Sequence, residues 1–212
     1  MTISARDEVL ARIRRAIVTA VSPDVPRDYR AGAPADVELL VDRLVDYRAI
    51  VHRCAPAGIA GAILEAADAA GIDRLFAPPG LDPAWQPSDR RVSIDDGTLT
   101  ATDLDGNDVG VITTCSVAIC ETGTIVLDGG PGQGRRLLTL VPDHHICVVL
   151  AEQVVGGVPD AFRRLDPRRP LTWISGPSAT SDIELKRVEG VHGPRHLVVI
   201  IVDHVPGSIP AP

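Results

Sequence analysis

The chain has 212 residues, a formal net charge of −7, 45% apolar residues and only 3% aromatic ones. That length suits one α/β domain whose core is built from Val, Ile, Leu and Ala. No apolar run approaches the roughly 18–20 residues that span a bilayer. Arginines and acids interrupt the N-terminus, unlike a signal peptide, and the negative charge argues against a broad nucleic-acid surface. A cytoplasmic protein with no membrane span and no nucleic-acid partner is expected.

Residues 4–20 place Val9, Ile13, Ala16 and Ile17 on one face and arginines on the other, which predicts an amphipathic helix capped by Ser4. Prolines and a glycine between Ser22 and Pro34 predict an arm. Asp36–Tyr47 and Pro56–Ala70 are predicted helices, the second ended by Gly71. Short strands are predicted at Asp73–Phe76 and Val92–Ile94, with Asp95-Asp96-Gly97 as a turn. From Val109 onward, apolar runs of four to eight residues alternate with Gly/Pro punctuation: VGVIT, IVL, ICVVLA, LTWI and HLVVIIV. Runs of that kind fit strands covered on both faces, as in a largely parallel sheet. Ala151–Leu165 and Ser181–Val191 are the predicted helices between them. The βαβ order implies an α/β fold, a mostly parallel sheet flanked by helices. Residues 1–35 form an N-terminal helix and proline-rich arm on this reading, residues 36–205 a single α/β domain, and residues 206–212 an irregular tail.

Four cysteines, Cys54, Cys115, Cys120 and Cys147, show no C-x-x-C spacing. Cluster and zinc sites need close-set thiolates, so core packing is the expectation and no metal site is predicted.

Four segments carry candidate chemistry. In Glu121-Thr122-Gly123-Thr124 a glycine between hydroxyl residues permits a tight turn at a strand start. Glu121 then serves as nucleophile or base in a cleft, or merely caps the turn. The run DGGPGQGRR, Asp128–Arg136, is rich in glycine but matches no phosphate-loop pattern; Arg135 and Arg136 offer forked donors for a carboxylate or phosphate. The turn Gly176-Pro177-Ser178, followed by Thr180 and Asp182, lies before a predicted helix N-terminus that suits an anion. There, Ser181–Glu184 fits a capping box, so Asp182 and Glu184 are expected to cap rather than to form an acid–base pair. His192-Gly193-Pro194 precedes the last strand, and a loop histidine there either titrates near neutral pH or holds a structural hydrogen bond. The same two readings apply to His144-His145.

Together these motifs are recognisable. ETGT followed by IVL, Gly134-Arg135, Pro142 with His145-Ile146, and the block Gly176–Asp203 resemble the lactate utilization protein C family of LUD-domain proteins. The resemblance covers Val109 to Asp203 strongly. The chain departs from it in carrying CSVAIC before ETGT and Ala179 where several relatives have arginine. The resemblance implies a fold similar to sugar-phosphate isomerases and coenzyme A transferases. It also implies a role in oxidising L-lactate to pyruvate beside cysteine-rich partners that carry iron–sulfur clusters, with no cofactor bound by this chain. On that reading Glu121 and His192 are the catalytic candidates. Thr122, Gly123, Arg135, Gly176, Ser178, Thr180 and Asp182 line the site of a small carboxylate. Two other readings remain: a free-standing isomerase-like or acyl-transferring enzyme using Glu121, and a non-catalytic interaction module.

Overall fold

The computed structural model describes residues 4–21, 24–26, 28, 30, 32–180, 188–189 and 193–203. Met1–Ala31 form one compact unit and Gly32–Pro212 a second. In the first, helix α1 (Ala5–Ala16) begins at Ser4, whose hydroxyl accepts from the Asp7 N–H. Val9, Ile13 and Ile17 are exposed.

The second unit runs α2 (Val37–Asp46), β1 (Ile50–Cys54), α3 (Ile59–Ala69), β2 (Arg74–Ala77), β3 (Val92–Ile94), α4 (Ala101–Leu104) and β4 (Val109–Thr114). It continues with β5 (Val117–Ile119), β6 (Thr124–Leu127), β7 (His144–Leu150), β8 (Val154–Val155), α5 (Val158–Arg164), β9 (Thr172–Ile174), β10 (Ala179–Thr180), β11 (Val188–Glu189) and β12 (His196–Val202). Six strands form a wholly parallel sheet in the order β1-β12-β7-β4-β2-β3. A second sheet, β8-β5-β6-β9, is antiparallel except at its β8 edge.

Alternation along β7 and β12 explains their unbroken apolar runs. Ile146, Val148, Val198 and Ile200 pack on Ile59, Ile63 and Ala67 of α3. Cys147, Val149, Val199 and Ile201 face the other way, onto Leu40 and Leu44 of α2 and Ala118 and Ile125 of the second sheet. Both faces are therefore dry, as a central parallel sheet requires. The far face of the second sheet is closed by Ala161 and Leu165, at and just beyond α5.

The structure differs from the expected elements in three places. The runs IVL and LTWI belong to the second sheet, because a continuous apolar run shows that a strand is covered, not which sheet it joins. The helix expected over Ala151–Leu165 is broken: β8 pairs with β5, and α5 starts only after Gly156-Gly157. Of the helix expected over Ser181–Val191, Val188–Glu189 is instead a strand paired with Ala179–Thr180, and the rest lies outside the described residues. Among the described residues no helix is long and apolar enough to cross a membrane.

Candidate functional site

The carboxyl ends of β2 and β3 open onto a cleft of about 960 Å³. This is where an open parallel sheet leaves room for a ligand. Gly80 and Asp95–Gly97 form one wall, and the glycine-rich loop with Arg135 and Arg136 forms another. A smaller cavity of about 230 Å³ adjoins it and shares Arg136, Thr139 and Thr172. His145, Ser175, Gly176, Ser178 and Gly193 are among its other lining residues.

The glycine-rich loop is braced from within. Gln133 accepts from the Asp128 N–H at 2.6 Å, and the Asp128 carboxylate accepts from the Gly130 N–H and from Arg169. The amides of Gly132, Gln133 and Gly134 donate to the carbonyls of Pro79, Gly130 and Gly130. With five amides committed inside the protein, the loop is a braced wall of the cleft.

Arg135 and Arg136 are neighbours with different tasks. The Arg135 fork closes on Asp95, at 2.7 and 3.0 Å, and also donates to the Leu99 carbonyl. Asp95 is only 4% exposed, and the guanidinium holds its carboxyl below the usual range. Arg136 lies at the junction of the two cavities and donates through Nη1 to the carbonyl and hydroxyl of Thr139. Its charge reaches His145. Burial, and then Arg136, lower the His145 pKa to about 4, so the imidazole is neutral at physiological pH. Its Nε2 lies 2.8 Å from the Thr113 hydroxyl.

The two turns with the chemistry-bearing hydroxyls meet. β6 pairs with β9, so the ETGT turn lies beside Ser175-Gly176. Thr122, Thr124 and Ser175 form a hydroxyl chain with contacts of 2.8 and 2.9 Å. Gly123 (φ 60°) and Gly176 (φ 84°) both abut the end of α2, where a Cβ would come within 2.6 Å of Arg43 and 2.7 Å of Tyr47. Ser178 is held by its N–H donating to the Pro194 carbonyl.

The predicted site residues thus divide. Gly176 and Ser178 line the smaller cavity, and Arg135 lines the larger. Glu121 and Thr122 line a separate pocket of about 420 Å³ with Arg43, Asp46 and Tyr47, where the Glu121 N–H donates to the Gly156 carbonyl. His192 and Asp182 lie outside the described residues, as does the Thr180 side chain. Arg136, Thr139 and Thr113 were not among the predicted site residues. Arg136 was visible as a forked donor, but nothing in sequence separates it from Arg135.

Among the described residues no cysteine falls in a group of three or more side chains placed to hold a metal ion. Cys115, Cys120 and Cys147 are buried, and Cys54 is partly so. Burial pushes the Cys54 thiol up; the Cys147 thiol and burial do the same for Cys115.

Fold and site define an α/β protein with a largely apolar, arginine-bearing cleft at the carboxyl edge of a parallel sheet. The LUD domain profile matches residues 100–202. A Deinococcus radiodurans protein named Lactate utilization protein C is 44% identical over 209 residues, covering 95% of this chain and 97% of its own. A Shouchella clausii protein of the same name is 32% identical over 140 residues, covering 63% and 57%. The crystal structure of a DUF162 family protein from D. radiodurans superposes with a TM-score of 0.66 at 37% identity, covering 79% of this chain and 96% of that one. The chain belongs to the lactate utilization protein C family of LUD-domain proteins.

Proposed function

We propose that this chain serves lactate utilization in the cytoplasm, as the non-cluster component of an iron–sulfur system that oxidises L-lactate to pyruvate. The observation that carries the reading is the end-to-end identity with a relative bearing that name. The smaller cavity supports it chemically. A 2-hydroxy acid presents a carboxylate and a neighbouring hydroxyl. Arg136 suits the carboxylate through charge-assisted hydrogen bonds. His145 and Ser178 line the same cavity and are the candidates to meet the hydroxyl.

The cysteines support the division of labour. Three are packed in one apolar core, with Cys115 against Cys147, and among the described residues no group of three or more ligands that could hold a metal includes a cysteine. Electron transfer then falls to cysteine-rich iron–sulfur partners. Deleting the gene is expected to abolish growth on L-lactate and spare growth on pyruvate. Restored growth with the wild-type gene but not with an Arg136→Ala variant that folds normally supports the site. Unimpaired growth of the deletion strain on L-lactate, in a background without a paralogue, overturns the function.

A further inference from the structure

The amino edge of the parallel sheet carries a second cluster, outside both cavities. β7 and β12 begin side by side, with His144 opposite His196 in register. Side chains alternate along a strand. His145 and Leu197 line the smaller cavity, so His144 and His196 point to the opposite face of the sheet. Their rings stack with centroids 4.6 Å apart and planes 15° apart. Asp143 adjoins them, and one ligand atom from each of the three residues lies within 4.8 Å of the others.

The histidine chemistry is set by its partners. Nε2 of His144 lies 3.0 Å from the Asn107 carbonyl. A carbonyl oxygen only accepts, so Nε2 carries the proton and Nδ1 keeps a lone pair. His144 is 7% exposed, and its Nδ1 is buried with no hydrogen-bond partner among the described residues. A buried acceptor without a donor is uncommon in native proteins and calls for an explanation. A metal-ligating imidazole shows the same arrangement, with one nitrogen held by a carbonyl and the other open.

The bracing extends around the cluster. Asp143 accepts from Arg195 Nε at 2.6 Å and from Nη2 through its other oxygen. Arg195 Nη2 also donates to the Asn107 side chain at 2.9 Å. Asn107 thus steadies His144 through its backbone and Asp143 through Arg195. A carboxylate has about four lone-pair positions, so Asp143 can keep Arg195 and still face an ion.

We propose that Asp143, His144 and His196 bind one divalent first-row transition cation such as Zn²⁺, leaving a coordination position to water. Two imidazoles and one carboxylate suit that class of ion better than Mg²⁺ or Ca²⁺. Bonds of about 2.0–2.1 Å place the ligand atoms about 4 Å apart or less. The two rings are stacked, so the exposed His196 ring must turn out of the stack for its lone pair to meet the ion. Sequence spacing could not have shown the site, because 51 residues separate His144 from His196. An ion there clips β7 to β12 and acts on stability rather than at the cleft.

Untagged full-length protein titrated with Zn²⁺ by calorimetry, and with Co²⁺ by absorption, tests this. One equivalent is expected to bind, with a Co²⁺ spectrum of nitrogen and oxygen ligation and a rise in Tm on adding Zn²⁺. His196→Ala, at an exposed position, is expected to weaken binding at least about tenfold and to remove the Tm rise. Asp143→Asn is expected to weaken it as well. Absence of binding, a thiolate-to-cobalt charge-transfer band, or affinity unchanged in His196→Ala would each overturn the proposal.

Discussion

Arg135 and Asp95 form a two-pronged ion pair across the mouth of the larger cleft, with contacts of 2.7 and 3.0 Å. The pair ties the turn after β3 to the glycine-rich loop, 40 positions apart. Arg135 therefore braces the wall of the cleft that it lines. Arg135→Ala is expected to lower Tm while leaving the affinity for L-lactate within about twofold, within the usual scatter of surface changes. Arg135→Lys is expected to rescue only part of the loss, since an ammonium cannot fork.

The same pair predicts a pH signature. Arg135 holds the Asp95 carboxyl below its ordinary value, so the folded state binds that proton less readily than the unfolded chain. The stabilisation is complete above about pH 4 and is lost as pH falls through the folded value. Tm measured from pH 7 to pH 3 is expected to fall more steeply for the wild type than for Arg135→Ala in the acid limb. Parallel curves would show that the pair carries no linked proton.

Gly123 and Gly176 are fixed by two constraints at once, positive φ and the closeness of α2. Alanine at either position is expected to cost about 2 kcal/mol from the left-handed backbone alone, read as a lower urea midpoint. For Gly176 the close neighbours are the Cβ and carbonyl of Tyr47. Both atoms persist in Tyr47→Ala, so that second substitution is expected to give no rescue. Rescue would place the strain in the tyrosine ring instead.

Much of the fold was legible because burial on both faces writes itself as unbroken apolar runs: HLVVIIV and ICVVL are the central strands β12 and β7. The second sheet was not legible, since IVL at β6 looks the same whether its neighbours run parallel or antiparallel. The break in the expected helix at Ala151–Leu165 was present as Gly156-Gly157, but the segment was read as one helix between two apolar runs. Within the site, ETGT and Gly176–Ser178 were legible as turns, and the structure brings them together through Thr124 and Ser175. The roles of Arg135 and Arg136 depend on Asp95 and Thr139, and no local pattern encodes the long-range choice.

Thr113 is the hydrogen-bond partner of a buried imidazole. Thr113→Val preserves shape and strands His145 Nε2 in the core, with an expected loss of about 1–3 kcal/mol in denaturant unfolding. Thr113→Ser keeps the hydroxyl and is expected to retain the contact at the smaller cost of one methyl group. Equal losses for the two variants would mean that packing, and not the hydrogen bond, sets the value of this position.

The cysteines make a separate test of the chain's redox role. Cys115, Cys120 and Cys147 are at most 2% exposed, and a buried thiol in apolar surroundings is inert. A disulfide reagent is expected to modify Cys54 alone, slowly, in the native protein, and all four thiols in denaturant. Anaerobic incubation with iron and sulfide is expected to yield no cluster absorption on this chain. A stable cluster on the folded chain would contradict the assignment of electron transfer to partners.

Arg136 offers the most direct test of the smaller cavity. It stands where the two cavities join, next to Thr139 and within electrostatic reach of His145. A hydrogen bond from a charged donor to a carboxylate contributes about 1.5–3 kcal/mol, so its loss corresponds to roughly ten- to hundredfold in affinity. Arg136→Ala is expected to weaken L-lactate binding by that factor in calorimetry, and Arg136→Lys by less, since the charge remains. Pyruvate, which keeps the carboxylate and lacks the hydroxyl, is expected to respond equally to Arg136→Ala. If Arg136→Ala weakens L-lactate but not pyruvate, the guanidinium meets the hydroxyl, and the orientation proposed for the substrate is reversed.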